Sequence, residues 1–183
     1  VLISLYSFEI YLLFGSSTKH NNKFELYKKN TGKEYDKRSK FEIYKDFQLI
    51  DKDIKMTVYP TYYFGKDIDI FPLAMSSFSK TINCNENGYY SIYESDRYGF
   101  NNPDKEWDQK EIEFLLVGDS FTQGSCVNRP NDIASVLRIL SNKSVLNLGI
   151  NDHGPLLEYA TLREYLKPNV KKILWFYFEG NDL

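Results

Sequence analysis

From Glu111 onward the chain alternates short apolar runs with helical periodicity, and this alternation constrains its fold more than any other feature. Ile112 to Val117 (IEFLLV) has the length of a strand and is closed by Gly118. Asn131 is placed to cap a helix in which Ile133, Val136, Leu137 and Leu140 recur at i, i+3, i+4 and i+7, a single apolar face. Ser144 to Gly149 (SVLNLG) reads as a second strand. Pro155 suits the first turn of a second helix that runs through Leu156, Tyr159, Ala160, Leu162 and Leu166 to Pro168. Ile173 to Phe178 (ILWFYF) is a third run, apolar on both faces, and such a strand belongs inside a sheet covered on both sides.

Strand, helix, strand, helix, strand at this spacing predicts right-handed crossovers and a parallel sheet. The expected fold class is therefore α/β, a three-layer α/β/α flavodoxin-like sheet with an irregular N-terminal extension. Sheets of this kind usually have about five strands, and only three are read here. Residues 111–183 are thus expected to be the first part of a domain, and the whole chain a piece of a longer protein.

The preceding residues have a different texture. In residues 1–14, eleven side chains are apolar and Glu9 is the only charge. A spanning helix needs about 20 apolar residues, so this segment is expected to be the remnant of a membrane anchor, with a short buried helix or strand as the alternative. The anchor reading puts everything after Ser16 outside the cytoplasm. Residues 15–110 are expected to be an extension of short strands and loops, loosely ordered from Lys19 to Lys55. Met56 to Phe64 and Tyr89 to Tyr93 carry the β-branched and aromatic residues of short strands. Cys84 and Cys126 are the only cysteines; they either pair across a loop of about 40 residues, a cross-link of about 3 to 4 kcal/mol, or remain two buried thiols.

In a parallel sheet, the loops that follow strands lie at one edge, where ligands bind. Three polar, glycine-containing loops therefore converge: Gly118 to Gly124 (GDSFTQG), Gly149 to Pro155 (GINDHGP) and Glu179 to Asp182 (EGND). Ser120, just after a strand and near a helix start, presents a hydroxyl beside backbone N–H groups that stabilise an oxyanion. Asn181 can offer its side-chain amide to the same charge. Turn and cap hydrogen bonds are the alternative use of Asp119, Ser120 and Asn181.

These three loops resemble blocks of the SGNH, or GDSL-type, hydrolase superfamily: GDSFTQG the first, the Asn-Leu-Gly loop at Asn147 the second, EGNDL the third. DRYGFNNPD (Asp96 to Asp104) and the apolar start are similar to bacterial membrane-anchored members associated with surface-polysaccharide chemistry. The resemblance implies a serine esterase or acyl-hydrolase acting through an acyl-enzyme, on esters that include O-acetyl groups on glycans. It also implies Ser120 as nucleophile, Asn181 and the Ser120 N–H as oxyanion donors, and Asp119 as the residue that shapes the turn. The second block's glycine donor is replaced by Asp152, with Gly149 as the other candidate. His153 on that loop is a candidate substrate contact. The family's base lies in an Asp-x-x-His block beyond the third block, and this chain reaches no such block, so it is expected to hydrolyse nothing itself, while a longer parent is an esterase or acyltransferase. An O-acyltransferase of surface polysaccharide and a non-catalytic glycan-binding homologue are the alternatives.

Composition narrows the partners. Lys plus Arg number 23 against 25 Asp plus Glu, a net charge of −2, so no basic excess points to nucleic acid. Neither G-x-x-x-x-G-K-[ST] nor G-x-G-x-x-G occurs, and no H-E-x-x-H or Cys/His cluster suggests a metal, so no cofactor is expected. Tyr98 and Phe100 are read as contacts over the site or as core residues. Oligomeric state leaves no mark in the sequence.

Overall fold

The computed structural model describes Tyr6, Phe8, Ile10 and residues 23–180. Asn181 and His20, with most of the apolar start, lie outside the described residues; Tyr6, Phe8 and Ile10 are helical and exposed. No helix among the described residues is long and apolar enough to cross a membrane.

The chain is mixed α/β, and its C-terminal part is a parallel three-stranded sheet. Strand β4 (Ile112–Val117) lies between β5 (Val145–Asn147) and β6 (Val170–Trp175) in the order β5-β4-β6. Leu115 pairs with Leu146 and Ile173, and Leu116 with Asn147 and Leu174. Alternation along β4 sends its side chains to opposite faces. Leu116 and Val145 meet Ala134 and Leu137 of helix α4 (Ile133–Ser141) on one face. Leu115 and Leu146 meet Leu162 and Tyr165 of helix α5 (Pro155–Tyr165) on the other. Helices on both faces of a parallel sheet make the predicted α/β/α layering, with three strands.

Three local expectations shift. The α4 cap is Asp132 rather than Asn131, its carboxylate accepting from the Ser135 N–H at 2.9 Å. The packed side of α4 runs through Ala134 and Leu137, while Ile133, Val136 and Leu140 of the expected face are 38%, 40% and 81% exposed. The third strand starts at Val170 instead of Ile173: Val170 pairs with Ile112 and Lys172 with Phe114, and Lys171 and Lys172 reach Glu111 and Glu113 at 3.2 and 2.6 Å. It also lies at the sheet edge, with Ile173 and Trp175 half exposed, rather than inside a sheet covered on both sides.

The extension is more ordered than its composition implied. Residues 23–31 form helix α1 and Lys40–Gln48 form helix α2. A capping box starts α2: the Glu42 N–H donates to Ser39 Oγ at 3.3 Å, and the Ser39 N–H to Glu42 Oε2 at 2.7 Å. Ile43 of α2 packs with Ile54 and Ile82 against a small sheet, ordered β1 (Lys55–Met56), β2 (Lys80–Ile82), β3 (Ile92–Glu94). The pattern was hard to see because Ile43 is the only buried residue of α2. Met75, Tyr93, Phe100 and Trp107 of the extension enter the same core as Ile112, Leu115 and Leu146. Each fully buried large side chain contributes about 1.5 to 3 kcal/mol, so the extension is part of what stabilises the sheet. Tyr98 and Phe100 resolve as packing residues: Phe100 is fully buried, and both rings meet Trp107 and Tyr165.

Candidate active site

The central strand ends in a tight turn. Gly118 sits at φ 153°, and a Cβ there would meet Thr122 Oγ1 at 2.3 Å and the Phe176 carbonyl oxygen at 2.9 Å, so only glycine fits. Asp119 caps the following short helix α3 (Ser120–Gln123): its carboxylate accepts from the Phe121 N–H at 3.0 Å and its carbonyl from the Gln123 N–H at 2.9 Å. Gly124, in the left-handed region at φ 77°, ends the helix after a single turn. Ser120 is thereby lifted off the end of β4, partly exposed, its hydroxyl 3.4 Å from Asp119 Oδ2. Ser120 is the first residue of α3, and the helix itself supplies no acceptor for the N–H of its first residue.

A buried polar network fixes that turn. Asn147, at the end of β5, donates its amide to the Thr122 carbonyl at 2.5 Å and accepts the Gly149 N–H at 2.8 Å. Asn102 bonds the Asn147 backbone twice, through Nδ2 to the carbonyl and through Oδ1 to the N–H, both at 2.9 Å. Asn101 holds the Gln123 carbonyl at 2.8 Å. Asp96 anchors the strap, its carboxylate accepting from the N–H groups of Tyr98 and Phe100, from Asn102 Nδ2 and from Trp107 Nε1, all within 3.0 Å. Arg138 of α4 adds a donor to Asn102 Oδ1 at 2.8 Å and two to the Val145 carbonyl; burial pulls its guanidinium below the usual range. The motif DRYGFNNPD is a strap from the core to the serine turn, a part that reading residue types singly did not assign. Its signal was the Asp, Asn and Asn spaced to reach buried backbone.

Ser120 opens into a cleft of about 710 Å³. One side is the serine turn with Ser125 and Cys126; the facing wall is the extension, through Tyr59, Asn83, Asn85 and Asn87. Cys84 and Cys126 are joined by a disulfide across this cleft, so the cross-link alternative holds over free thiols. The Tyr59 hydroxyl donates to Asn83 Oδ1 at 2.5 Å, and burial first, then the charge of Asp152, pushes its phenol up to about 12.

The second loop departs from expectation. It sends Asn151 to the Ser120 cleft, whereas Asp152 is exposed and lines a neighbouring hollow with Tyr59 and Tyr62. Asp152 sits at φ 66°, a left-handed conformation that favours glycine and that Asp tolerates. Gly149 is corrected as a donor: its N–H already bonds Asn147, and its missing Cβ makes room for the Gln123 N at 2.4 Å. His153 is corrected as a substrate contact. It is 2% exposed, does not line the cleft, and neither ring nitrogen has a partner among the described residues. Burial drops its pKa to about 4. Among the described residues no group of three or more His, Cys, Asp or Glu is arranged to hold a metal ion. In comparisons with known proteins, no family model, curated protein or solved structure matches the chain.

Proposed function

We infer that Ser120 is the nucleophile of an acyl-transfer site, and that the protein is a serine esterase or acyl-hydrolase of the SGNH type. The observation that carries this reading is placement: a partly exposed serine begins the helical turn after the central strand of a parallel sheet, in a cleft, at a position whose N–H the helix leaves without an acceptor. In this chemistry Ser120 Oγ attacks the ester carbonyl carbon while the Ser120 N–H donates to the oxygen that takes up charge. The alcohol then leaves, and water releases the acyl group. Asn181 is the second oxyanion donor by resemblance to the third block. The proton of Ser120 needs a base, and His153, buried and absent from the cleft lining, is not placed as one.

O-acetyl groups on glycans are the substrate class that the resemblance implies, with no cofactor and no nucleic acid. The Cys84–Cys126 disulfide favours a folded part outside the cytoplasm, because disulfides persist in oxidising compartments; a membrane anchor and a periplasmic location rest on the apolar start and the resemblance. A second reading, a glycan-binding homologue without chemistry, is favoured by the burial of His153. Aryl acetate hydrolysis by the chain and by Ser120→Ala, each with and without free imidazole, separates the two. The expected result is turnover above the hydrolysis by imidazole alone, requiring both Ser120 and imidazole. Equal rates for the two chains under both conditions would contradict the nucleophile.

A further inference from the structure

We propose that the Cys84–Cys126 cross-link fixes the outer wall of the Ser120 cleft, so that reduction of this disulfide opens the cleft without unfolding the sheet. As a statement about access to Ser120 it rests on the nucleophile reading; as a statement about the wall it does not.

The cross-link joins two different parts of the molecule at the cleft itself. Cys84 lies on the β2–β3 connection, next to Asn83, Asn85 and Asn87, which line the wall. Cys126 lies six residues beyond Ser120, on the loop into which α3 runs. Both cysteines line the same cleft as Ser120. Cys126 is held at φ 60°, a left-handed conformation that a non-glycine residue adopts only when its surroundings impose it.

Single hydrogen bonds also cross this seam. Asn87 Nδ2 donates to the Cys126 carbonyl at 3.0 Å, the Ile92 N–H to Asn128 Oδ1 at 2.9 Å, and Arg129 Nη2 to the Glu94 carbonyl at 2.8 Å. Each is weak compared with a covalent link that closes 42 residues of chain. Neither cysteine belongs to the cluster around Phe100, Leu115 and Leu146 that packs the sheet. Loss of the covalent tie therefore loosens residues 83–91 and 124–131 and leaves β4 and β5 in place.

The reductant is a small dithiol. Its thiolate attacks one sulfur of the disulfide, then its second thiol closes on the mixed disulfide; the protein gains two thiols and the dithiol becomes a cyclic disulfide. Two electrons and two protons pass to the protein.

The test uses the oxidised chain, the same chain after dithiol treatment, and Cys84→Ser/Cys126→Ser. Amide deuterium uptake is followed by peptide, and Ser120 labelling is followed with a small and a bulky fluorophosphonate in the presence of free imidazole. Uptake in 83–91 and 124–131 should rise about tenfold on reduction while 112–117 and 145–148 stay protected. Labelling by the bulky probe should rise about threefold or more relative to the small one, as the wall retreats. Unchanged uptake in both segments overturns the proposal, and so does loss of protection throughout β4 and β5, which would make the link a general stabiliser. Unchanged relative labelling in a chain whose segments have loosened overturns the access claim. Absence of any Ser120 adduct in all three forms, with the two segments loosened, removes the nucleophile reading and upholds the wall.

Discussion

The side-chain amide of Asn147 donates to the carbonyl of Thr122 at 2.5 Å, two residues past Ser120. This bond links the end of an outer strand to the turn that follows the central strand. The same amide oxygen accepts the Gly149 N–H, so one fully buried side chain fixes both loops at the carboxyl edge. Any chemistry at Ser120 depends on where that turn sits.

Replacing Asn147 by alanine leaves the Thr122 carbonyl and the Gly149 N–H buried and unpaired. Each unpaired buried group costs about 1 to 3 kcal/mol. Urea denaturation of Asn147→Ala should show a loss of about 2 to 4 kcal/mol, and Ser120 should react less selectively with fluorophosphonate. A loss too small to detect would mean that the two bonds are dispensable.

Gly149→Ala tests the close approach. The new Cβ would lie 2.4 Å from the Gln123 backbone nitrogen and 2.6 Å from the Thr122 carbonyl carbon. Backbone must move, which costs about 1 to 3 kcal/mol as overpacking does. Melting temperature should fall, with the greatest loss of amide protection in residues 119–124. Wild-type stability would show that α3 stands farther from β5 than described.

Asp96→Ala removes the acceptor for four donors at once. Buried donors left without partners should make this the most damaging of the surface-remote changes, on the order of 3 to 5 kcal/mol. Trp107 reports on it directly, since its indole N–H loses its partner at 2.7 Å. Unaltered Trp107 fluorescence in a fully stable variant would contradict the strap.

His153 gives the fold a pH dependence. Burial lowers its pKa from the ordinary 6.5 to about 4, so between those values the unfolded chain binds the proton and the folded one does not. Stability from this group is complete above about pH 6.5, falls as pH drops through that window, and is lost below about 4. The change is on the order of 3 kcal/mol. In paired urea titrations, His153→Leu should lack that part of the slope. Identical slopes in both chains would place His153 in water.

Much of the C-terminal half was legible because its runs are long enough to show period: the three strands, both helices and the parallel order follow from Ile112 to Trp175. What was not legible is which way each face turns. Ala134 and Leu137 of α4 pack on the sheet while Ile133 and Val136 do not, and the third strand begins three residues before its apolar run, at Val170, Lys171 and Lys172. Around the site, Ser120 and Asp119 stand where the loop spacing put them. The second loop does not, since Gly149 gives its N–H to Asn147 and His153 turns into the protein. The cleft's far wall was beyond sequence reading: Tyr59 and Asn83 to Asn87 carry no periodicity, and long-range ties, the Cys84–Cys126 disulfide among them, bring them opposite the serine.

The most direct test of the central claim is covalent reaction at Ser120. A fluorophosphonate forms an Oγ–phosphorus bond as fluoride leaves, the proton passing to free imidazole supplied as the base, and peptide mapping by mass spectrometry locates the adduct. One adduct on Ser120, accelerated by imidazole and absent from Ser120→Ala, is the predicted result. A folded chain that gains no adduct with imidazole present, or gains it on Ser125 or surface tyrosines instead, would contradict the assignment of Ser120 as a nucleophile.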